Sequence, residues 1–162
     1  MWLFLKNVLF TIFVPGTVAV LLPRVLVEPG LAVPAVWGAP QFASLPILLA
    51  GLLMYLRCVW DFAHRGRATP LPLDAPRVLV VQGLYRYVRN PMYLGVLLVI
   101  AGQAILFESR GVAIYGAIWF AFVHLFTMVY EEPTLRQSFG DAYDHYCRNV
   151  SRWVPGKRYT PC

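Results

Sequence analysis

Gly83-Leu84-Tyr85-Arg86-Tyr87-Val88-Arg89-Asn90-Pro91-Met92-Tyr93-Leu94-Gly95 is the stretch around which the rest of the chain is organised. Its thirteen residues hold two arginines, three tyrosines, an asparagine, a proline and two glycines. It stands between a polar, proline-rich segment and an apolar run. Arg86 and Arg89 fall about one helical turn apart. Asn90-Pro91 breaks or starts a helix, because proline lacks an N–H and restricts the residue before it. Backbone groups freed there, beside cations and aromatic faces, suit an anionic, ring-bearing small molecule. The same residues also suit a positive-inside anchor with an aromatic belt.

Downstream lies an apolar run from Met92 to Phe107, then the tight turn Glu108-Ser109-Arg110, then a second run from Val112 to Tyr130. Runs joined so closely form an antiparallel helical hairpin. The first is sixteen residues, short for a span, so it borrows Val88 to Pro91 or tilts little. Upstream, Phe42 to Trp60 is another span, with Pro46 in its first turn or so and Arg57 near enough to its end to snorkel out. Leu3 to Leu22 is the first, kinked at Pro15-Gly16. Its twenty residues, at ~1.5 Å each, cover the ~30 Å hydrocarbon core. Pro23 to Gln41 reads as a loop at the membrane surface. Asp61 to Gln82 reads as an ordered loop, since proline rather than Gly/Ser dominates it.

Composition agrees with a bilayer. The chain has 162 residues, 59% apolar and 14% charged, with a mean hydropathy of +0.59, too greasy for a soluble domain of this size. It reads as a single domain over 1–162. The net charge of +6 does not indicate nucleic-acid binding, because the cations lie in loops beside apolar runs and set topology. With the N-terminus in the cytoplasm, eleven of the fourteen Lys and Arg residues fall inside. The expectation is an all-α integral membrane helical bundle, with four transmembrane helices plus a C-terminal amphipathic helix and both termini cytoplasmic, in a bacterial inner membrane. Cys58, Cys147 and Cys162 show no pairing or metal spacing, and the ending Thr-Pro-Cys is not a prenylation box. No clean cleavage site follows the first run, which is read as a retained helix.

Glu131-Glu132-Pro133 is expected to end the last span. Beyond it Leu135, Phe139, Tyr143, Tyr146 and Val150 recur at spacings of 4, 4, 3 and 4, one face of a helix that lies on the membrane or folds back on the bundle. Two adjacent carboxylates at a membrane helix end are costly, and the helix dipole disfavours them at a C-terminus. Something cationic should face at least one: a protein arginine such as Arg86 or Arg89, or a ligand ammonium or sulfonium. His124, seven residues before Glu131, shares its face. It is either functional or a histidine hydrogen-bonded to a neighbouring helix. The loop Gly66-Arg67-Ala68-Thr69-Pro70-Leu71-Pro72 could close over a ligand. There is no GxGxxG, HExxH, CxxC or GxSxG, and no acid in mid-span to suggest a transporter.

Taken together, Gly83 to Gly95 (Gly-x-Tyr-Arg-x-x-Arg-Asn-Pro-x-Tyr-x-Gly), Glu131 to Leu135 (Glu-Glu-x-x-Leu), Phe139 to Tyr146 (Phe-Gly-x-x-Tyr-x-x-Tyr) and Arg152 to Pro155 (Arg-x-x-Pro) resemble the isoprenylcysteine carboxyl methyltransferase and phospholipid methyltransferase superfamily. The likeness covers roughly residues 60 to 155, with the cofactor-binding part at about 64–155. It implies an integral membrane enzyme that methylates a lipid or lipidated small molecule with S-adenosylmethionine, without a metal or nucleic acid. By position, Tyr85, Asn90, Pro91, Met92 and Tyr93 would line the cofactor, with Arg77, Leu79 and Val80 just upstream. Arg89 would orient it, and Glu131 or Glu132 would hold its ammonium or adenosine part. Arg89, Glu131, Glu132 and His124 are the candidate catalytic residues. The family's usual histidine after the arginine is Asn90 here. The prenylcysteine enzymes carry an arginine about one turn before their acidic pair, where this chain has Phe126-Thr127-Met128, which argues against a prenylcysteine carboxylate. The acceptor is expected to enter between the second span and the hairpin. The reading is an isoprenylcysteine carboxyl methyltransferase-like enzyme; the rival readings are a phospholipid N-methyltransferase-type activity and a non-catalytic membrane structural or assembly protein.

Overall fold

A computed structural model describes residues 15–27, 36–61 and 81–160, together with 32, 34 and 79. Most of the first predicted span, the Gly66–Pro72 loop, Arg77 and Val80 lie outside these residues. Among the described residues every regular element is helical. In order they are α1 over 15–27, α2 (Ala39–Asp61), a 3₁₀ turn (Gly83–Arg86), α3 (Pro91–Leu106), α4 (Arg110–Phe126), a π turn (Thr127–Glu131), α5 (Glu132–Phe139) and α6 (Asp141–Asn149).

Two helices among the described residues are long and apolar enough to cross a membrane, not the four expected. They are Ala39–Asp61 and the continuous rod Arg110–Phe139 formed by α4, the π turn and α5. Only 22% of the apolar window of each is buried inside the protein. Phe42, Leu49, Leu53 and Trp60 on α2, and Ile114, Ile118, Phe122, Leu125 and Val129 on the rod, project outward. A soluble core helix would bury such residues, so these faces suit lipid. The third run forms α3, sixteen residues and ~24 Å by helical rise, short of the hydrocarbon thickness.

The rod corrects the expectation that Glu131-Glu132-Pro133 ends its span. Proline has no N–H and clashes with the carbonyl four residues back. The chain widens into the π turn ahead of Pro133, which then sits in the first turn of α5. Residues 23–27 are likewise helical rather than loop. The carbonyls of the widened α1 turns find side-chain donors: Gln103 Nε2 donates to Ala19 O at 2.6 Å, and Tyr115 OH to Val18 O at 2.7 Å.

The expected hairpin forms. Ser109 caps α4, its hydroxyl accepting from Val112 N at 3.1 Å. At the same end, Gln41 Nε2 donates to Glu108 Oε1 at 2.8 Å, tying the start of α2 to the hairpin turn. α2 starts at Ala39, so Pro46 sits inside the helix rather than in its first turn. α2 and α3 pack backbone to backbone. A Cβ on Gly51 would lie 2.8 Å from Gly95 O, and one on Gly102 would lie 2.7 Å from Leu48 Cγ. Small residues allow that approach in a membrane. The seam expected to admit the acceptor is therefore closed at that depth. Ala19, Tyr55, Val96, Ile100 and Val112 join α1 to α4 in one core.

The C-terminal amphipathic face is real, but it lies on two helices. Gly140, at φ +50°, breaks the predicted helix. Tyr143, Tyr146 and Val150 form a second core with Val81, against which Leu135 and Phe139 also pack. This pair of helices therefore folds back on the protein.

Candidate functional site

Pro91 opens α3, which sets Arg89 and Asn90 just ahead of the helix. Asn90 does not cap α3; its Nδ2 donates to Arg152 O at 3.3 Å. The rod carries Glu131 and Glu132 past the same place. Glu132 is 8% exposed and lies between two guanidinium groups. Arg152 Nε and Nη2 donate to its Oε1 and Oε2 at 2.6 and 2.8 Å, and Arg89 Nη1 is 3.1 Å from Oε1. The side-on fork is the strong form of this contact. These bonds raise the Arg152 pKa further, so it stays charged. Arg89 also donates to Cys147 Sγ.

Glu131, the adjacent carboxylate, has different partners. Its Oε2 accepts from Tyr93 OH at 3.2 Å and from Thr127 Oγ1 at 3.5 Å. Both ion pairs at the acidic pair go to Glu132, and among the described residues no cation pairs with Glu131. The sequence expectation of an arginine facing the acidic pair is met by Arg89 and by Arg152; Arg86 is not among these partners.

The segment after Val150 runs along the Arg86–Asn90 stretch. Arg89 N donates to Ser151 O at 3.0 Å, Gly156 N to Tyr87 O at 2.9 Å, and Tyr159 N to Arg86 O at 2.9 Å. This strap brings Trp153 against Phe120, ring centroids 5.0 Å apart, and near Tyr93 at 6.5 Å. Its indole N–H donates to His124 Nδ1 at 2.8 Å. Neutral His124 therefore carries its proton on Nε2. Tyr85 accepts through its carbonyl from Tyr146 OH at 2.6 Å, and its buried phenol lies within electrostatic range of Glu131 and Tyr93. Burial pushes the Tyr146 phenol up, which keeps it a neutral donor.

Of the residues singled out in the sequence, Arg89, Asn90, Tyr93, Glu131, Glu132 and His124 thus share one connected network. Pro91 is buried beneath it and Met92 packs on the main core. Leu79 belongs to the second core. The sequence reading missed Arg152, Trp153 and Thr127 as members. Arg152 stood in the closing Arg-x-x-Pro motif, but nothing local tied it to Glu132, twenty positions away. It also missed Asp61, buried at the end of α2, paired with Arg57 at 3.4 Å. The 3₁₀ turn crosses directly over it at Gly83 (φ +56°), where a Cβ would collide with its carboxylate.

Fold and site together give an all-helical architecture among the described residues, with two helices apolar enough to cross a membrane and a charged, largely buried site at Glu132. A family model described as phospholipid methyltransferase matches residues 41–142, from α2 into α6. The chain belongs to the phospholipid methyltransferase family, a family of membrane methyltransferases. No curated protein and no solved structure matches the chain.

Proposed function

We propose that this protein is an S-adenosylmethionine-dependent methyltransferase acting on a lipophilic acceptor at the membrane surface. The observation that carries the reading is the split between the two adjacent glutamates. Among the described residues Glu132 is matched by cations, whereas Glu131 is held by hydroxyl groups. A buried carboxylate without a cation is an expensive feature that a ligand cation relieves. Nearby, Arg89 Nε is buried with no hydrogen-bond partner. A carboxylate that no described cation pairs with and an unmatched guanidinium N–H suit a zwitterion bearing an ammonium and a carboxylate.

When bound, S-adenosylmethionine supplies an electrophilic methyl group on a sulfonium. Glu131 holds the ammonium, Arg89 turns its Nε toward the carboxylate, and Asn90, Pro91, Met92 and Tyr93 form the wall between them. Tyr85, Arg77, Leu79 and Val80 extend that wall upstream. Glu132 fixes the Arg89 guanidinium rather than meeting the ligand. Trp153 and Phe120 exclude water from the acceptor side. In-line displacement needs alignment and a dry site more than covalent help. His124 Nδ1 is occupied by Trp153, so His124 serves as a support for Trp153 and not as a base. The family match supports a lipid acceptor, and the absence of an arginine around Phe126-Thr127-Met128 speaks for a phospholipid headgroup over a prenylcysteine carboxylate.

Calorimetry with S-adenosylhomocysteine on the detergent-purified protein tests this. Wild type should bind. Glu131→Gln should lose affinity at least tenfold, since a charge-assisted hydrogen bond contributes roughly 1.5–3 kcal/mol, while its melting temperature barely moves. Unchanged binding by Glu131→Gln and by Arg89→Ala would make both residues structural and overturn the assignment.

A further inference from the structure

The strap after Val150 reaches down along the rod and comes back. The Arg152 guanidinium meets Glu132, while the indole of the next residue, Trp153, donates to His124 Nδ1 at 2.8 Å and packs on Phe120. His124 precedes Glu132 by eight residues, roughly 12 Å along a helix. Two neighbouring side chains therefore touch the rod at two levels, one at the charged pair and one inside the apolar stretch. At that inner level Phe122 and Leu125 stand 65% and 60% exposed on the outer face of the rod, where they suit lipid. The chain then returns: Gly156 N donates to Tyr87 O, and Tyr159 N to Arg86 O. Between Trp153 and Gly156 lie Val154 and Pro155, both exposed, Val154 at 70%.

Alone, an exposed valine means little. Here it follows a tryptophan held at the apolar level of the rod and precedes two cations. Lys157 and Arg158 are exposed, and among the described residues no acid pairs with either. By contrast, Arg136 and Arg152 in the same part of the chain are matched by Asp144 and Glu132. The backbone bonds at Gly156 and Tyr159 bracket Lys157 and Arg158, and so hold them beside the Arg86–Tyr87 turn ahead of α3. From the apolar level outward the strap thus presents an indole, an apolar tip and a pair of cations. That order matches a lipid surface, where Trp sits at the boundary, apolar groups enter the acyl region and Lys or Arg meets the phosphates.

We infer that the strap is a membrane-docking element. Val154 and Pro155 enter the edge of the acyl region, and Lys157 and Arg158 hold the phosphates of anionic phospholipids. Docking also keeps Arg152 on Glu132 and Trp153 on His124, so the lipid surface holds the ionic site closed. This last consequence rests on the cofactor reading above; the docking itself does not.

The full-length protein in lipid nanodiscs tests it with two readouts, neither of which needs a cofactor. With Val154→p-benzoylphenylalanine, irradiation should give a lipid adduct in the mass spectrum. Amide hydrogen exchange at Gly156 and Tyr159, the two N–H groups that pin the returning strap, should be about tenfold slower in discs of equal parts phosphatidylglycerol and phosphatidylcholine than in phosphatidylcholine alone. Lys157→Gln combined with Arg158→Gln should abolish that difference, and so should high salt, which screens exposed charges. Both side chains are exposed, so this variant should keep the wild-type melting temperature. Equal exchange in the two kinds of disc overturns the inference, as does a Val154→p-benzoylphenylalanine adduct with protein and none with lipid. Equal slowing by inorganic phosphate in phosphatidylcholine discs would mark a site for free anions and overturn it too. Docking as expected, with no binding of S-adenosylhomocysteine in either disc, would instead sink the cofactor reading and leave the docking standing.

Discussion

The Arg152 guanidinium lies side-on to the Glu132 carboxylate, with Nε and Nη2 at 2.6 and 2.8 Å from its two oxygens. That contact fastens the C-terminal strap to the rod formed by α4 and α5, and Arg89 completes it from the start of α3. Three segments distant in sequence meet at one buried carboxylate. Glu132→Gln leaves two guanidinium groups sharing a neutral amide. Breaking a buried pair costs about 3–5 kcal/mol, and Arg152 is a quarter exposed, so a loss near the lower figure is expected. Thermal unfolding in detergent should show a clear drop, with a smaller one for Arg152→Lys, which keeps the charge without the fork. A Glu132→Gln variant as stable as wild type would contradict a structural role for Glu132.

Tyr93 tests the other carboxylate. Its hydroxyl is 3.2 Å from Glu131 Oε2, and Tyr93→Phe removes that donor while keeping the ring beside Trp119 and Trp153. Glu131 then loses one of its two hydroxyl partners and is less well aimed at a ligand cation. The affinity for S-adenosylhomocysteine should fall about fivefold, on the order of 1 kcal/mol, as read by calorimetry.

His124 and Trp153 give a catalytic test. If His124 supports Trp153, Trp153→Phe and His124→Gln should both retain methyl transfer from radiolabelled S-adenosylmethionine into lipid extract within about threefold, each losing roughly 1 kcal/mol of stability. Loss of activity in His124→Gln alone, together with loss of a limb of the pH–rate profile, would make His124 a base.

The α2–α3 seam should be intolerant of side chains. A Cβ at Gly51 meets Gly95 O at 2.8 Å and Val99 N at 2.9 Å, backbone atoms that cannot rotate aside. Gly51→Ala should destabilise by about 1–3 kcal/mol. Gly156→Ala, whose Cβ would find its nearest neighbour at 4.0 Å, should be close to neutral. Detergent-denaturation midpoints compare the two directly.

Topology is testable through the Gln41–Glu108 hydrogen bond, which requires the start of α2 and the hairpin turn to share one side. Reporter fusions after Gln41 and after Ser109 should agree with each other and report the outer side. Fusions after Arg67 and at the C-terminus should report the cytoplasm. Opposite readings at 41 and 109 would be incompatible with the hairpin as described.

Much of this molecule is decided locally. Hydropathy over contiguous residues located α2, α3 and α4. The three-residue turn at Glu108 made the hairpin unavoidable, and the spacing of Leu135, Phe139, Tyr143, Tyr146 and Val150 marked the face that packs. Each of these follows from neighbours in the chain, because helix periodicity and apolar length are short-range properties. What depended on the third dimension was harder to read. The continuation of the rod through Pro133 depends on the π turn before it, a backbone adjustment that no residue type announces. The break at Gly140 lies inside an unbroken apolar pattern. Above all, Glu131 and Glu132 are chemically identical in sequence. Among the described residues, the arrival of Arg152 from the strap and of Tyr93 from the facing helix gives one carboxylate cations and the other hydroxyl groups, because electrostatic partners are chosen by distance in space and not along the chain.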